Sequence, residues 1–190
     1  MIPVGYMAKR VSGRTEWLDA AQVVDLYSVS NCVSKDFADY VNYWKHNGYW
    51  FFDSPEIIRQ LALEHSLDLN GTTLFYYEVH EMEFDDDENE WRHFEPDEFP
   101  TQVESPPQKV LEGFDVVNFF CGSQAECSLL SCNSMATEIQ TNPHCLLTSL
   151  DEAQRLLETD AFDGCEPGPY RIFAVYSVVT NSTARSTPAF

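Results

Sequence analysis

The sequence predicts a single domain of the α+β or α/β class, with a mixed β-sheet and about four helices. Strand-like runs of β-branched and aromatic residues alternate with segments whose apolar residues recur every three or four positions. The order β-α-β-α-β occurs twice along the chain, which favours an internal duplication. With 190 residues, of which 44% are hydrophobic and 14% aromatic, the chain is long enough to bury a core.

Composition divides the chain into four parts. Residues 1–84 and residues 113–180 are the two halves, and each carries one copy of the pattern. Residues 85–112 between them are rich in acids and prolines, so we expect an acidic hairpin followed by a linker. Residues 181–190 are expected to form a polar tail.

The first copy begins with a predicted strand at residues 23–29 and a predicted helix at residues 36–44. A turn then leads into the aromatic run 49–52. Ser54 predicts the start of a second helix, because it can cap the free N–H groups and is followed by a proline at the first helical position. A β-branched and aromatic strand at residues 74–79 closes the unit.

The second copy repeats this order. A predicted strand at residues 114–121 precedes a predicted helix at residues 132–140, and a turn leads into the apolar run 145–147. Ser149 forms a capping box with the glutamate three residues later, and the strand at residues 173–178 closes the unit. The opposing interpretation is that any chain of alternating strands and helices yields such a coincidence.

Negative charge is concentrated in one stretch of the chain. The whole sequence carries 31 acids and 11 bases, a formal net charge of -20. Residues 78–104 alone contain twelve acids and one base, Arg92. Such a field repels nucleic acids and membrane surfaces and attracts basic proteins. We therefore expect a basic protein partner, with no direct binding to nucleic acid and no membrane association.

The leading functional hypothesis is an acidic cytoplasmic interaction protein that occludes a basic partner, as an immunity protein does for a toxin or an inhibitor for a nuclease. An enzymatic role is the less favoured class, and no cofactor is predicted. The residues expected to contact the partner are Asp85, Asp86, Asp87, Glu88, Glu90 and Trp91. The alternative is a solvated acidic loop that only keeps the protein soluble.

Cysteines support a second functional hypothesis, because five of the six lie between Cys121 and Cys165. A cysteine-dependent enzyme or small-ligand protein would have its site at the loop from Cys121 to Cys132. Cys132 would be the nucleophile in the first turn of the predicted helix, where the helix dipole favours a thiolate, and His144 is the nearest base. The alternative is that these cysteines are small buried apolar residues.

Metal binding is the remaining alternative for the same loop. Zinc takes four tetrahedral ligands, and the sequence offers no Cys-x-x-Cys pair. No metal is predicted, and the alternative ligand set is Cys121, Cys127, Cys132 and His144.

The cytoplasmic location is an expectation from two features of the sequence. No apolar run approaches the roughly 18 residues that a membrane helix needs. The first residues, Met1 to Gly5, lack the charged and apolar regions of a signal peptide. In that compartment the cysteines are expected to be reduced thiols.

Overall fold

A computed structural model of the protein describes residues 1–30, 32–33, 35–36, 49–94, 102–119 and 126–179. These residues form a seven-stranded sheet, a separate two-stranded sheet and two α-helices, which is an α+β architecture. The strands are β1 (Ile2–Arg10), β2 (Ser12–Gly13), β3 (Asp25–Leu26), β4 (Lys35–Asp36), β5 (Thr73–Val79), β6 (Met82–Asp85), β7 (Glu90–His93), β8 (Lys109–Asn118) and β9 (Tyr170–Val178). The helices are α1 (Pro55–Glu64) and α2 (Leu150–Glu158), and a single turn of 3-10 helix covers Met135–Thr137.

The large sheet has the strand order β4-β1-β5-β9-β6-β7, and β8 pairs with β9 as well. The prediction of a mixed sheet is wrong, since every pairing among the described strands is antiparallel. The physical reason lies in the connections. α1 lies in the sequence between β1 and its antiparallel partner β5, and α2 between β8 and its antiparallel partner β9, so neither helix makes the crossover that parallel strands require.

Both helices begin where their capping serines predict. The side chain of Ser54 accepts a hydrogen bond from the backbone N–H of Ile57, and Ser149 accepts one from the backbone N–H of Glu152. Each helix turns an apolar face towards the sheet. The residues buried on these faces are Ile58, Leu61 and Ala62 of α1, and Ala153, Leu156 and Leu157 of α2.

The prediction of about four helices is wrong for the described residues, which contain two α-helices. Residues 132–140 form turns and the short 3-10 helix instead of an α-helix. Ser134 takes a left-handed conformation with φ of 63°, which interrupts helical geometry before a first full turn forms. Apart from Asp36 in β4, the predicted helix at residues 36–44 lies outside the described residues.

The predicted strand at residues 23–29 is reduced to the two residues of β3. The backbone N–H groups of Val24 and Asp25 both donate to the carbonyl of Pro143, so this segment is bound to a loop rather than to the large sheet. With this strand shortened and the helix at residues 132–140 missing, the duplication of a five-element unit is not supported.

The two halves share a shorter local geometry. Gly5 in β1 and Gly113 in β8 each have positive φ at a β-bulge. The residue after Gly5 forms an isolated bridge to Phe52, and the residue after Gly113 forms one to Leu147. Phe52 and Leu147 each lie two positions before a capping serine. The agreement between the halves is therefore limited to a bulged strand, a bridge, a capped helix and the strand that follows.

Two apolar clusters make up the core. One contains the buried face of α1 with residues of β1 and β5, and the other contains the buried face of α2 with residues of β8 and the loop that follows it. Four charged side chains are buried among them, and they are Lys9, Glu83, Asp115 and Arg171. Buried charges require partners, so each of these four side chains binds another segment of the protein and holds it in position.

Arg171 attaches the acidic hairpin to the sheet. Its guanidinium donates to Glu83 Oε2 from Nε at 3.1 Å and from Nη2 at 2.9 Å. The guanidinium also lies over the rings of Phe94 and Phe119. Burial lowers the pKa of Arg171 to about 10, which leaves it charged at neutral pH. Because Glu83 belongs to β6, this pair fixes the hairpin β6–β7 against β9.

Candidate functional site

Residues 82–93, within the acidic stretch of the sequence, form the hairpin β6–β7, whose turn contains Asn89 with a φ of 52°. Asp85 Oδ1 accepts the backbone N–H groups of Asp87 at 3.1 Å and of Glu88 at 3.2 Å. Its other oxygen forms an ion pair with Arg92. Asp85 therefore shapes the turn and is charge-compensated within the protein.

Asp86 and Trp91 connect the hairpin to the end of α2 and to the chain that follows it. Both carboxylate oxygens of Asp86 accept the backbone N–H of Gly168, each at 3.1 Å. A side chain at Gly168 would overlap the present position of the Asp86 carboxylate, so any larger residue there would displace this contact. Trp91 Nε1 donates to the Glu158 carboxylate at 2.8 Å. Asp86 and Trp91 thus hold the hairpin in place.

The other three predicted contact residues, Asp87, Glu88 and Glu90, are exposed on the hairpin. The six predicted residues therefore comprise three that are hydrogen-bonded to other parts of the protein, of which Asp86 is also exposed, and three further exposed acids. A count of charges along the sequence could not separate the two groups, because the partners of Asp86 and Trp91 lie far along the chain.

A cleft of about 200 Å³ lies between the hairpin and the segment after α2. Three aspartates line it, and they are Asp86, Asp160 and Asp163. Its apolar walls include Phe84, Phe162 and Tyr170. The described lining residues include no lysine or arginine. Sequence reasoning missed Asp160 and Asp163, because only the folded chain brings them beside Asp86.

A more spacious cavity, about 620 Å³, lies elsewhere, at the start of α1. Its charged side chains include Glu56 and Arg59, which are paired with each other at 2.7 Å. None of the predicted site residues lines it. Its size alone assigns it no chemistry.

Three cysteines from two distant segments meet at a second candidate site. The sulfur atoms of Cys32, Cys127 and Cys132 all lie within 4.8 Å of one another. Cys32 Sγ and Cys127 Sγ are 3.6 Å apart. Cys32 is exposed, whereas the other two are half-buried. We call these three residues the thiol cluster.

The thiol cluster contains two of the predicted metal ligands and one residue that sequence reasoning missed. Cys127 and Cys132 were predicted, and Cys121 lies outside the described residues. Cys32 was not predicted, because it precedes the other cysteines by most of a domain length and no local spacing connects them.

Hydrogen bonds among the thiols make their acidities unequal. The pKa of the Cys32 thiol is lowered to about 5, chiefly by a hydrogen bond from Cys132. The same hydrogen bond raises the pKa of Cys132, and burial raises the pKa of Cys127 to about 12. Of the three thiols, that of Cys32 is therefore the one whose thiolate form is most favoured.

His144, the predicted base and fourth metal ligand, lies in different surroundings. Its Nδ1 is 2.6 Å from Asp25 Oδ1, its Nε2 is 3.8 Å from Glu112 Oε2, and its ring stacks on Tyr27. The contacts of Cys132 are instead to Ser128 and to members of its own cluster and their serine neighbours. The structure places Cys132 and His144 among separate sets of neighbours.

The chain matches no protein-family model, no curated protein sequence and no solved structure. Within the described residues, the helices are too short and too polar to cross a bilayer. The acidic cleft and the thiol cluster are therefore interpreted from their own chemistry.

Proposed function

We propose that this protein binds a basic protein through an acidic face and thereby blocks the partner's cationic surface. We define the acidic face as the turn of the β6–β7 hairpin, residues 86–90, together with residues 158–166 after α2. The supporting observation is the cleft between these two segments, where Asp86, Asp160 and Asp163 converge on aromatic walls.

The cleft suits one long cationic side chain. Pockets for drug-sized ligands occupy roughly 300–1,000 Å³, whereas this cleft is about 200 Å³. A lysine or arginine of the partner would lay its alkyl stem against Phe162 and Tyr170 and place its charge beside Asp160 and Asp163. The residues that dominate the binding energy of an interface are typically those that fill such aromatic, water-excluding pockets.

The exposed acids of the hairpin would increase the rate of encounter. Asp87, Glu88 and Glu90 face solvent beside the cleft and belong to a protein of net charge -20. Their field attracts a basic partner over about 8–10 Å at physiological ionic strength. A toxin or a nucleic-acid-processing enzyme carries such a cationic surface, because its own substrate is an anion.

The proposal is tested with the variant Asp160→Asn/Asp163→Asn against the control Glu16→Gln/Asp19→Asn. Both remove two exposed carboxylates, so net charge changes equally while only the first alters the cleft. Partners captured from the host are measured for affinity at 50 and 200 mM salt. We expect a basic partner that binds the wild type and the control, and that binds the cleft variant at least about 10-fold more weakly. Equal weakening in both variants would contradict a role for the cleft.

The alternative function, an enzyme or small-ligand protein acting at the cysteine loop, stays a prediction. Its catalytic form needs a base for Cys132, and His144 is paired with Asp25. Cys132→Ser would abolish such an activity and leave binding of a basic partner unchanged.

A further inference from the structure

The thiol cluster brings together donor atoms of one kind. Cys32 comes from the loop before β4, and Cys127 and Cys132 come from the loop after β8. Three sulfur atoms that converge from separate segments form a ligand set for a thiophilic metal ion. The two other described cysteines are elsewhere, with Cys145 in the core and Cys165 at the acidic cleft.

The spacing of the sulfurs fits a single zinc ion. With Zn–S bonds of about 2.3 Å at tetrahedral angles, bound sulfurs lie about 3.8 Å apart. Cys32 Sγ and Cys127 Sγ are 3.6 Å apart, and all three sulfurs lie within 4.8 Å of one another. The observed separations therefore bracket the spacing that one zinc ion requires.

A buried lysine holds the loop that carries Cys32. Lys9 Nζ donates to the carbonyls of Ser28 at 2.7 Å, Val29 at 2.7 Å and Ser30 at 2.9 Å. The side chain of Lys9 comes from β1, in the centre of the protein. Lys9 thereby attaches the backbone carbonyls of the residues two to four positions before Cys32 to the sheet.

A buried aspartate joins this loop to the one that carries the other two cysteines. Asp115 Oδ2 accepts the backbone N–H of Val29 at 2.8 Å, and Asp115 Oδ1 accepts the hydroxyl of Ser128 at 2.6 Å. Ser128 is in turn the acceptor for the backbone N–H of Cys132. One carboxylate on β8 therefore sets the distance between the two segments.

Direct hydrogen bonds connect the loops next to the sulfurs. Ser30 Oγ donates to the carbonyl of Glu126 at 2.6 Å and accepts the backbone N–H of Cys32 at 3.1 Å. The backbone N–H of Cys127 donates to Asn118 Oδ1 at 2.7 Å. Outer contacts of this kind orient metal ligands before the ion arrives. Cys32 is exposed, which gives an ion a path to the site.

We propose that Cys32, Cys127 and Cys132 bind one zinc ion through their sulfur atoms. Each thiol that forms a Zn–S bond releases its proton to the solvent, and the ion keeps a fourth position for a further donor. The bound ion cross-links the segment at residues 28–32 to the segment at residues 126–132. Glu166, at the end of the acidic face, acts electrostatically on Cys32 and Cys127, but the two proposed sites share no ligand or contact residue, so each proposal has its own test.

The test is a cobalt titration of the reduced, metal-free protein, because Co²⁺ occupies tetrahedral zinc sites and reports thiolate ligands by absorption. We expect sulfur-to-cobalt charge-transfer bands that saturate at one equivalent and disappear when zinc displaces the cobalt. The variant Cys32→Ser should weaken cobalt binding by at least about 100-fold, beyond the 10–100-fold that loss of an outer contact causes. The control Cys165→Ser, which removes a half-buried thiol outside the cluster, should bind within about 3-fold of the wild type.

Circular dichroism of both variants separates ligand loss from unfolding, and Cys32 is an exposed residue whose replacement leaves the core intact. Absence of charge-transfer bands in the wild type would overturn the proposal. So would equal binding by Cys32→Ser and the wild type, or an equal loss in Cys165→Ser. Binding of Cu⁺ alone, without Co²⁺ or Zn²⁺, would overturn the assignment to zinc.

Discussion

Replacing Lys9 by methionine should be among the most destabilising single changes in this protein. Lys9 is 1% exposed, and its ammonium group bonds the carbonyls of Ser28, Val29 and Ser30. Burial raises the pKa of the Asp115 carboxylate, and the positive charge of Lys9 offsets part of that rise. Methionine keeps most of the apolar stem and removes the charge and all three donors.

The magnitude follows from the groups that lose a partner. A buried acceptor left without a donor costs about 1–3 kcal/mol, and three carbonyls are affected here. Removing one charge of a buried network costs about 3–5 kcal/mol overall, because its counter-charge stays behind. Protonation of Asp115 in the variant offsets part of this cost. We expect the free energy of unfolding to fall by about 4 kcal/mol at pH 7.

The assay is urea unfolding of Lys9→Met, Asp115→Asn and the double variant, with Arg10→Met as the matched control. Arg10 neighbours Lys9 on β1 but has a side chain that is 49% exposed, so its replacement should cost under about 1 kcal/mol. The double variant should lose less than the sum of the single losses, by about 1–3 kcal/mol. A loss in Lys9→Met no larger than that in Arg10→Met would refute the reasoning.

Three further predictions concern backbone geometry, pH and the hairpin anchor. Gly113→Ala should lower the free energy of unfolding by about 3 kcal/mol, since φ is +150° and a Cβ would lie 2.6 Å from a backbone carbonyl. The control Gly164→Ala, at φ +84° with open space around it, should cost about 1 kcal/mol in the same urea assay. Burial raises the pKa of Asp115 from 3.8 to about 6, so the folded state holds this proton more tightly than the unfolded state. Relative to Asp115→Asn, the wild type should therefore lose about 3 kcal/mol of stability as pH rises from about 3 to 7, and a flat difference between the two would contradict the raised pKa. Arg171→Met removes the buried one of the two arginines that pair with Glu83, while Arg92 stays 2.7 Å from Glu83 Oε1; it should cost about 3 kcal/mol, with a fall below about 1 kcal/mol arguing against a structural role for the Arg171–Glu83 pair.

Local signals in the sequence were sufficient for several elements. Ser54 and Ser149 predicted both helix starts, because capping depends on residues three positions apart. The aromatic and β-branched runs predicted β5 and β9, because this signal is likewise carried by residues close together in the sequence. The direction of strand pairing was not predictable in this way, since it depends on contacts between residues far apart in the chain.

The candidate sites show the same limit. Charge counting located the acidic hairpin, but only the structure shows Asp86 bonded to Gly168 and the cleft completed by Asp160 and Asp163. Cysteine clustering pointed to the loop that ends at Cys132, but Cys32 joins it through folding alone. No spacing rule connects residues that meet only after the sheet has formed.

The helix expected at residues 132–140 failed for a physical reason. Its apolar periodicity resembled that of α2, yet Ser134 takes a left-handed conformation. The backbone N–H groups of Cys132 and Asn133 both donate to Ser128, which is itself held by Asp115. The left-handed conformation of Ser134 and the tertiary hydrogen bond between Ser128 and Asp115 thus override local helix propensity at the loop that carries two of the three clustered thiols.

Zinc X-ray absorption on the protein loaded with one equivalent of zinc tests most directly whether these thiols form one site. We predict at least three sulfur atoms at about 2.3 Å from the metal, and one fewer in Cys32→Ser. A shell made only of oxygen and nitrogen, or a sulfur count that Cys32→Ser leaves unchanged, would contradict the convergence of Cys32, Cys127 and Cys132 on one ion.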